Sequence, residues 1–353
     1  MKKSILAIAV AATMAAPAAM AAPTVYGNVH LSLNAADNDI PNAENNLALS
    51  SNTSSIGVKG SEDLGDGMKA IYKIEFGVDI ANKPTTNPDA NAPVLPASLG
   101  GGTGNGQSAA SDGELNRRDQ FVGLKGGFGT VKFGTMSSNY KQMGGKVDPL
   151  YRTPLEGRGF LETQSATLHG GAGIDRGRST NTVQYTSPKM GGVSLVANTT
   201  FSGSSDETTG IGVRWSNKDI MVYADWIDGP TADACPTCTG ETQSAAKIGG
   251  KFSADAFSVA LQYEAAEDAT RKDYIFAAGT FNINKNNMIV LTYGLQDVDE
   301  VAGAPSEDTD GIAVAYDHKM SKMTNVYVGY GAKGSDEAQS DESMLTAGMR
   351  VKF

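Results

Sequence analysis

Val25-Tyr26-Gly27-Asn28-Val29-His30-Leu31-Ser32-Leu33-Asn34 places Val, Gly, Val, Leu and Leu on odd positions and Tyr, Asn, His, Ser and Asn on even ones. A period of two marks a strand with one apolar and one polar face, because successive side chains point to opposite sides of the pleat. The alternation returns at Met68, Ala70, Tyr72, Ile74 and Phe76, set against Lys69, Ile71, Lys73, Glu75 and Gly77. It recurs over Val193–Phe201, Ile211–Trp215, Ile220–Trp226 and Phe257–Ala265, and it closes the chain at Leu345, Ala347, Met349, Val351 and Phe353. No helical period of useful length competes with it.

Continued along the chain, this pattern predicts sixteen strands, at 24–34, 50–60, 68–80, 117–126, 129–136, 178–187, 191–202, 208–217, 219–228, 242–253, 256–266, 272–282, 287–297, 310–319, 323–333 and 342–353. The twelfth is the least regular, with Tyr274 and Phe276 on one face and Ile275 and Phe281 on the other. Short connections such as Gly126–Gly129 and Asn217–Lys218 alternate with long ones such as 35–49, 81–116, 137–177 and 229–241. A sandwich has no reason to keep every long loop at one end. A barrel inserted from one side of a membrane does, with an apolar face toward lipid and a polar face toward the lumen. Closure pairs the edges that lipid could not satisfy. Sixteen strands enclose a water-filled channel, whereas about eight are filled by their own side chains. The fold class is therefore all-β, a 16-stranded antiparallel transmembrane barrel, and such a wet barrel leaves no dry core.

The chain has 353 residues, 42 of them Gly, with a formal net charge of −10. That balance excludes nucleic acid as a partner, since phosphate binding needs a basic face. Lys2-Lys3, the apolar run Ile5–Ala16 and the small residues of Ala19-Met20-Ala21 read as a cleaved signal peptide over 1–21, leaving a barrel over 22–353. Export permits disulfides. Cys235 and Cys238, in a long loop without the helix N-terminus that redox chemistry wants, are expected to form a loop disulfide.

Several stretches now carry a resemblance. Thr24-Val25-Tyr26-Gly27, Ser54-Ser55-Ile56-Gly57-Val58-Lys59-Gly60-Ser61-Glu62-Asp63-Leu64-Gly65-Asp66-Gly67, Phe121-Val122-Gly123-Leu124-Lys125-Gly126 and Asn181-Thr182-Val183-Gln184-Tyr185-Thr186-Ser187-Pro188 resemble the general diffusion porins of Gram-negative outer membranes. The Gly-Ser-Glu-Asp-Leu-Gly stretch is the specific signal, and Arg350-Val351-Lys352-Phe353 is similar to the family's C-terminal insertion signal with Phe353 last. The resemblance implies a homotrimer in the outer membrane, with the third loop folded into the lumen as a constriction. It also implies passive diffusion of small hydrophilic solutes and ions. The implied partners are the lipid bilayer, lipopolysaccharide and the barrel assembly machinery.

Loop 137–177 is the longest and follows the fifth strand, the position of that third loop. Its acidic candidates for the constriction are Asp148, Glu156 and Glu162. Strand parity sends Lys59, Lys73, Lys132 and Arg178 inward as the opposing basic wall; of the neighbours Arg117 and Arg118, one must join them, and the family pattern favours Arg118. Opposed walls of charge set up a transverse field that aligns polar solutes and rejects apolar ones. The bland reading is that these charges only keep the lumen wet. Acidic outer loops (Asp37, Asp297, Asp299 and Asp308 among others) would gather cations at the mouth, against the pull of the basic wall, and the balance leans weakly to cations.

Other motifs fall to simpler readings. Asp308-Thr309-Asp310-Gly311 lacks the terminal Glu of a calcium loop, and Gly102-Thr103-Gly104-Asn105-Gly106 precedes no helix that could bind a dinucleotide. His30, His169 and His318 are scattered, with no nucleophile elbow near them. No cofactor, metal or catalytic residue is expected. Trp215, Trp226, Tyr223 and the tyrosines at 185, 263, 293, 316 and 330 are candidates for interfacial girdles. A solute-specific channel and an adhesion or receptor barrel remain the alternatives.

Overall fold

The computed structural model describes residues 22–38, 46–81, 115–169, 177–201, 207–229, 244–267, 271–299, 308–335 and 341–353. The signal-peptide residues 1–21 and Cys235 and Cys238 lie outside the described residues.

The alternating segments are strands: β1 (Thr24–Asn38), β2 (Asn46–Ser51), β3 (Ser55–Gly65), β4 (Met68–Gly77), β5 (Asn116–Gly126), β6 (Gly129–Ser137), β7 (Arg178–Thr186), β8 (Val193–Thr200), β9 (Thr209–Ser216), β10 (Ile220–Asp228), β11 (Ser244–Ser253), β12 (Phe257–Glu267), β13 (Arg271–Asn282), β14 (Asn287–Val298), β15 (Thr309–Lys319), β16 (Thr324–Ser335) and β17 (Glu342–Lys352). Every pairing is antiparallel between neighbours, and the circle closes where β1 pairs with β17 on one side and with β2 and β3 on the other. The seam runs in register from Asn28↔Lys352 to Asn38↔Glu342. Phe353 finishes it: Gly27 and Phe353 exchange backbone hydrogen bonds at 2.9 and 3.2 Å, and the Phe353 ring occupies the space a Cβ on residue 27 would need.

The expected sixteen staves are present, one of them in two pieces. Asn52–Ser54 interrupt the second stave, Thr53 with φ 54°, so that three residues oppose two on β1. The Ser54 hydroxyl replaces the missing ladder bond, accepting from His30 N–H at 3.0 Å. One extra residue flips side-chain parity. Leu47 and Leu49 before the break and Ile56 after it therefore all face outward.

Outward positions form the apolar exterior, with Val122, Ile248 and Leu261 each about 60% exposed. Trp226, Tyr185, Tyr263, Tyr293, Tyr316 and Tyr330 face outward, Trp226 and Tyr185 near strand ends and Tyr263, Tyr293 and Tyr330 at mid-strand. Tyr223 is not: it faces inward and donates to Gln262 at 2.5 Å. Polar residues such as His30, Asn34, Gln184 and Thr346 line the inside.

The absence of a dry core does not hold. The connection after β6 is folded: Ser138 caps α1 (Asn139–Val147) by accepting from Lys141 N–H, turns follow, and a single turn α2 (Ala166–His169) ends the stretch. Its Leu150, Leu155, Phe160 and Leu161 pack on Val290, Ala313, Ala315 and Met344 of the inner wall. Tyr140 and Leu168 pack on Ile227 and Tyr274, while Met143 and Val147 pack on Phe276 and Ala278. This explains the irregular twelfth strand. Tyr274 and Phe276 face inward because α1 and the turns cover them, and Ile275 and Phe281 face out.

Candidate functional site

The inner surface of β3–β7 carries one cluster of charged groups. Arg118 Nε lies 2.5 Å from Glu75 Oε1, Lys73 Nζ lies 2.9 Å from both Glu75 Oε2 and Asp119 Oδ2, and Arg178 Nε lies 2.9 Å from Asp119 Oδ1. Tyr26 donates its hydroxyl to Glu75 at 2.7 Å. Strict alternation would have sent Arg118 and Asp119 to opposite faces. A bulge prevents this: the register passes from Ile74↔Gln120 to Phe76↔Arg117, so Arg118 and Asp119 together oppose Glu75. Arg118 is buried while Arg117 is exposed, and Lys59 and Lys132 lie on the same inner face, each against an aromatic ring.

The basic wall, expected to face acids on the loop, is instead a network with acids of its own. Glu75 was legible, since it shares the polar face of Lys69 and Lys73. Asp119 was not, because its inward turn depends on the bulge.

The loop acids take other places. Asp148 accepts Leu150 N–H at 2.8 Å and Gly157 N–H at 2.9 Å, and is buried at 3% exposure. Burial pushes its carboxyl up to about 7, against the pull of those two amides. Glu156, at 1% exposure, accepts Arg152 N–H at 2.8 Å and pairs with Arg158 at 3.0 Å. Both carboxylates brace the turns of residues 148–157, where unpaired backbone amides would otherwise be buried without partners. Glu162 is half exposed and reaches Lys333 at 2.9 Å, a pair that ties the loop to β16. The structure thus does not turn Asp148 and Glu156 toward open water as an acidic face.

The loop also carries cations, two of them as buried as its acids: Arg158 is 2% and Lys141 6% exposed. Arg152 and Arg158 lie over the Tyr151 ring at 5.7 and 4.6 Å. Burial, then the guanidiniums of Arg158, Arg178 and Arg118, push the Lys141 ammonium well below the usual lysine range. Burial and Arg118 act on Arg152 in the same direction. Like charges from loop and wall are thus within electrostatic reach of one another.

Polar pins hold the loop on the opposite side. Asn139 N–H donates to Asn198 at 2.7 Å and its amide to Asp225 at 3.0 Å; Arg214 donates to Gln142 at 2.8 Å and to Asn139 O at 3.0 Å. Lys247 Nζ bonds Tyr140 O at 2.5 Å and His169 Nε2 at 2.7 Å. His169 Nδ1 donates to Ser165 O at 2.8 Å, which leaves Nε2 to accept, and burial holds the ring neutral by pushing its pKa well below the usual range. Gly329 and Gly331 on β16 let Leu155 approach the wall; a Cβ on either would meet its methyl groups at 2.9 and 2.7 Å.

Among known proteins, the profile of the Gram-negative porin family matches residues 7–338. The chain belongs to that family. It is 27% identical to the major outer membrane protein P.IB of Neisseria lactamica over the whole of both chains. A match to P.IB of Neisseria gonorrhoeae, 30% identical, spans 63% of this chain and 55% of that one. Of solved structures, an anion-selective porin from Comamonas acidovorans superposes with TM-score 0.73 at 17% identity, covering 94% of this chain and 99% of that one. The trimer form of OmpT, an outer membrane protein of Vibrio cholerae, superposes with TM-score 0.65 at 15% identity, over 94% and 100%. This porin is an outer-membrane barrel, and its passage serves passive diffusion of small hydrophilic solutes and ions.

Proposed function

We propose that this porin passes small hydrophilic anions in preference to cations, through a slot between the β3–β7 wall and the loop after β6. The observation that carries the proposal is the charge around that slot. Lys59, Lys73, Arg118, Lys132 and Arg178 on the wall outnumber Glu75 and Asp119, and the loop adds Arg152 and Arg158, with Glu156 paired to Arg158. In a narrow, low-dielectric passage the excess sign sets which ion enters. This reverses the weak cation lean drawn from the acidic outer loops, which act across about 8–10 Å of screening solution. The likeness to an anion-selective porin agrees with it.

The wider proposal keeps the homotrimer, the bilayer and lipopolysaccharide contacts, the 1–21 signal peptide, the Cys235–Cys238 disulfide and Phe353 as the assembly signal, and it includes no catalytic step. The test is reconstitution of the mature chain in a planar bilayer under a potassium chloride gradient. The expected reversal potential has the sign of chloride selectivity. A cation-selective potential overturns the anion preference, and a membrane without current overturns the channel.

A further inference from the structure

Inward aromatic rings need an explanation in a barrel whose inside is wet. Tyr274 and Phe276 have one, since the loop covers them. Phe121 has none: it shares the lumen face with Lys73, its register partner on β4, and belongs to none of the described dry clusters. It remains partly exposed, as does Tyr26 on β1.

We propose that Phe121 and Tyr26, with Lys132 and Lys59, form a lumen subsite for flat-ring organic carboxylates. Lys132 Nζ stands 5.1 Å from the Phe121 centroid and Lys59 Nζ stands 4.9 Å from that of Tyr26. Lys73, between them, is bridged to Glu75 and Asp119, whereas Lys59 and Lys132 have no carboxylate within 4.0 Å among the described residues. Two uncommitted ammonium groups are therefore each held against a polarisable apolar surface. Lys59 pairs with Lys73 and Lys73 with Phe121, so the groups occupy adjacent staves spaced about 4.8 Å apart. A carboxylate seated on either ammonium brings an attached ring beside Phe121 or Tyr26, in the offset or edge-on arrangements that aromatic pairs favour. The subsite lies on the short-turn side of Arg118 and Arg178, in series with the slot. Weak, repeated contact of this kind selects a solute without trapping it.

The inference rests on the channel reading, and two measurements separate them. The first is the chloride current of the reconstituted full-length mature porin with benzoate, cyclohexanecarboxylate or acetate added, each inhibition normalised to that protein's own current. Benzoate is expected to inhibit at roughly three- to ten-fold lower concentration than cyclohexanecarboxylate. Phe121→Leu should bring the two together, and Lys132→Gln should weaken benzoate and acetate alike. The second is saturation transfer from the detergent-solubilised barrel to the benzoate ring, which reads binding with or without current; Phe121→Leu should reduce it. Equal inhibition by the three anions, or a saturation-transfer signal that Phe121→Leu leaves intact, overturns the subsite. Loss of chloride current alone, with ring-dependent binding retained, counts against the channel and for the subsite.

Discussion

The two halves of the inner surface solve opposite problems. Along β3–β7 the wall meets water, and its side chains are cations and acids that pair with one another: Arg118 with Glu75, Arg178 and Lys73 with Asp119. Along β10–β17 the wall meets the loop, and its side chains shrink to Ala and Gly or turn aromatic, as at Ala313, Ala315, Gly331 and Phe276. The same strand period serves both. What differs is the partner across the gap: where the loop packs, small and aromatic side chains receive it, and the polar groups left there, such as Asp225 and Lys247, are buried in bonds to the loop.

The largest effect should come from charging the covered half. Leu161, fully buried between Leu155 and Ala313, cannot tolerate a carboxylate: an unpaired buried charge costs several kcal/mol. Leu161→Asp is expected to unseat the loop, raising single-channel conductance and exposing residues 138–169 to protease. Unchanged conductance would mean that the loop does not narrow the passage.

On the wet half the effect should be on selectivity rather than on folding. Arg118→Ala removes one cation and leaves Glu75 with Lys73 as its remaining cationic partner, so the reversal potential should move toward cations. Glu75→Gln should move it toward anions. Strand pairing persists in both variants, so the melting temperature of the barrel should change far less than in Leu161→Asp. A large melting shift with no change in reversal potential would assign the network a structural role only.

A smaller effect should follow pH. A carboxyl raised to about 7 by burial stabilises the seated loop fully below the unfolded range near ~3.9, and loses that contribution as pH rises through about 7. Protease cutting near residues 148–157 should therefore be faster at pH 8 than at pH 5, and Asp148→Asn should lose the difference. The smallest effect belongs to Glu162→Gln. Its pair with Lys333 is half exposed on one side, and such bridges contribute about 0–1 kcal/mol, so conductance and stability should both stay near their starting values.

Much of the fold was legible because lipid enforces a strict period. Val25–Asn34 and Leu345–Phe353 announce their faces, whereas the second stave starts at Asn46, inside the expected 35–49 connection, because the break at Asn52–Ser54 shifts the parity of Leu47 and Leu49 against Ile56. The site was legible in part. Lys59, Lys73, Lys132 and Arg178 follow from parity, and Glu75 stood in the same row. Asp119 escaped because one inserted residue in a strand leaves no compositional mark. Asp148 and Glu156 were read as lumen charges because nothing local distinguishes a carboxylate facing water from one holding backbone amides.

The amino-acid order by itself determined which side chains meet hydrocarbon, how many staves there are and where the long connections fall, since each depends on neighbours one or two positions away. Only the tertiary structure decided which carboxylates neutralise which cations and which inward rings are covered. Those outcomes depend on a loop crossing to the far wall and on bulges that re-aim single residues, contacts between positions tens to hundreds of residues apart.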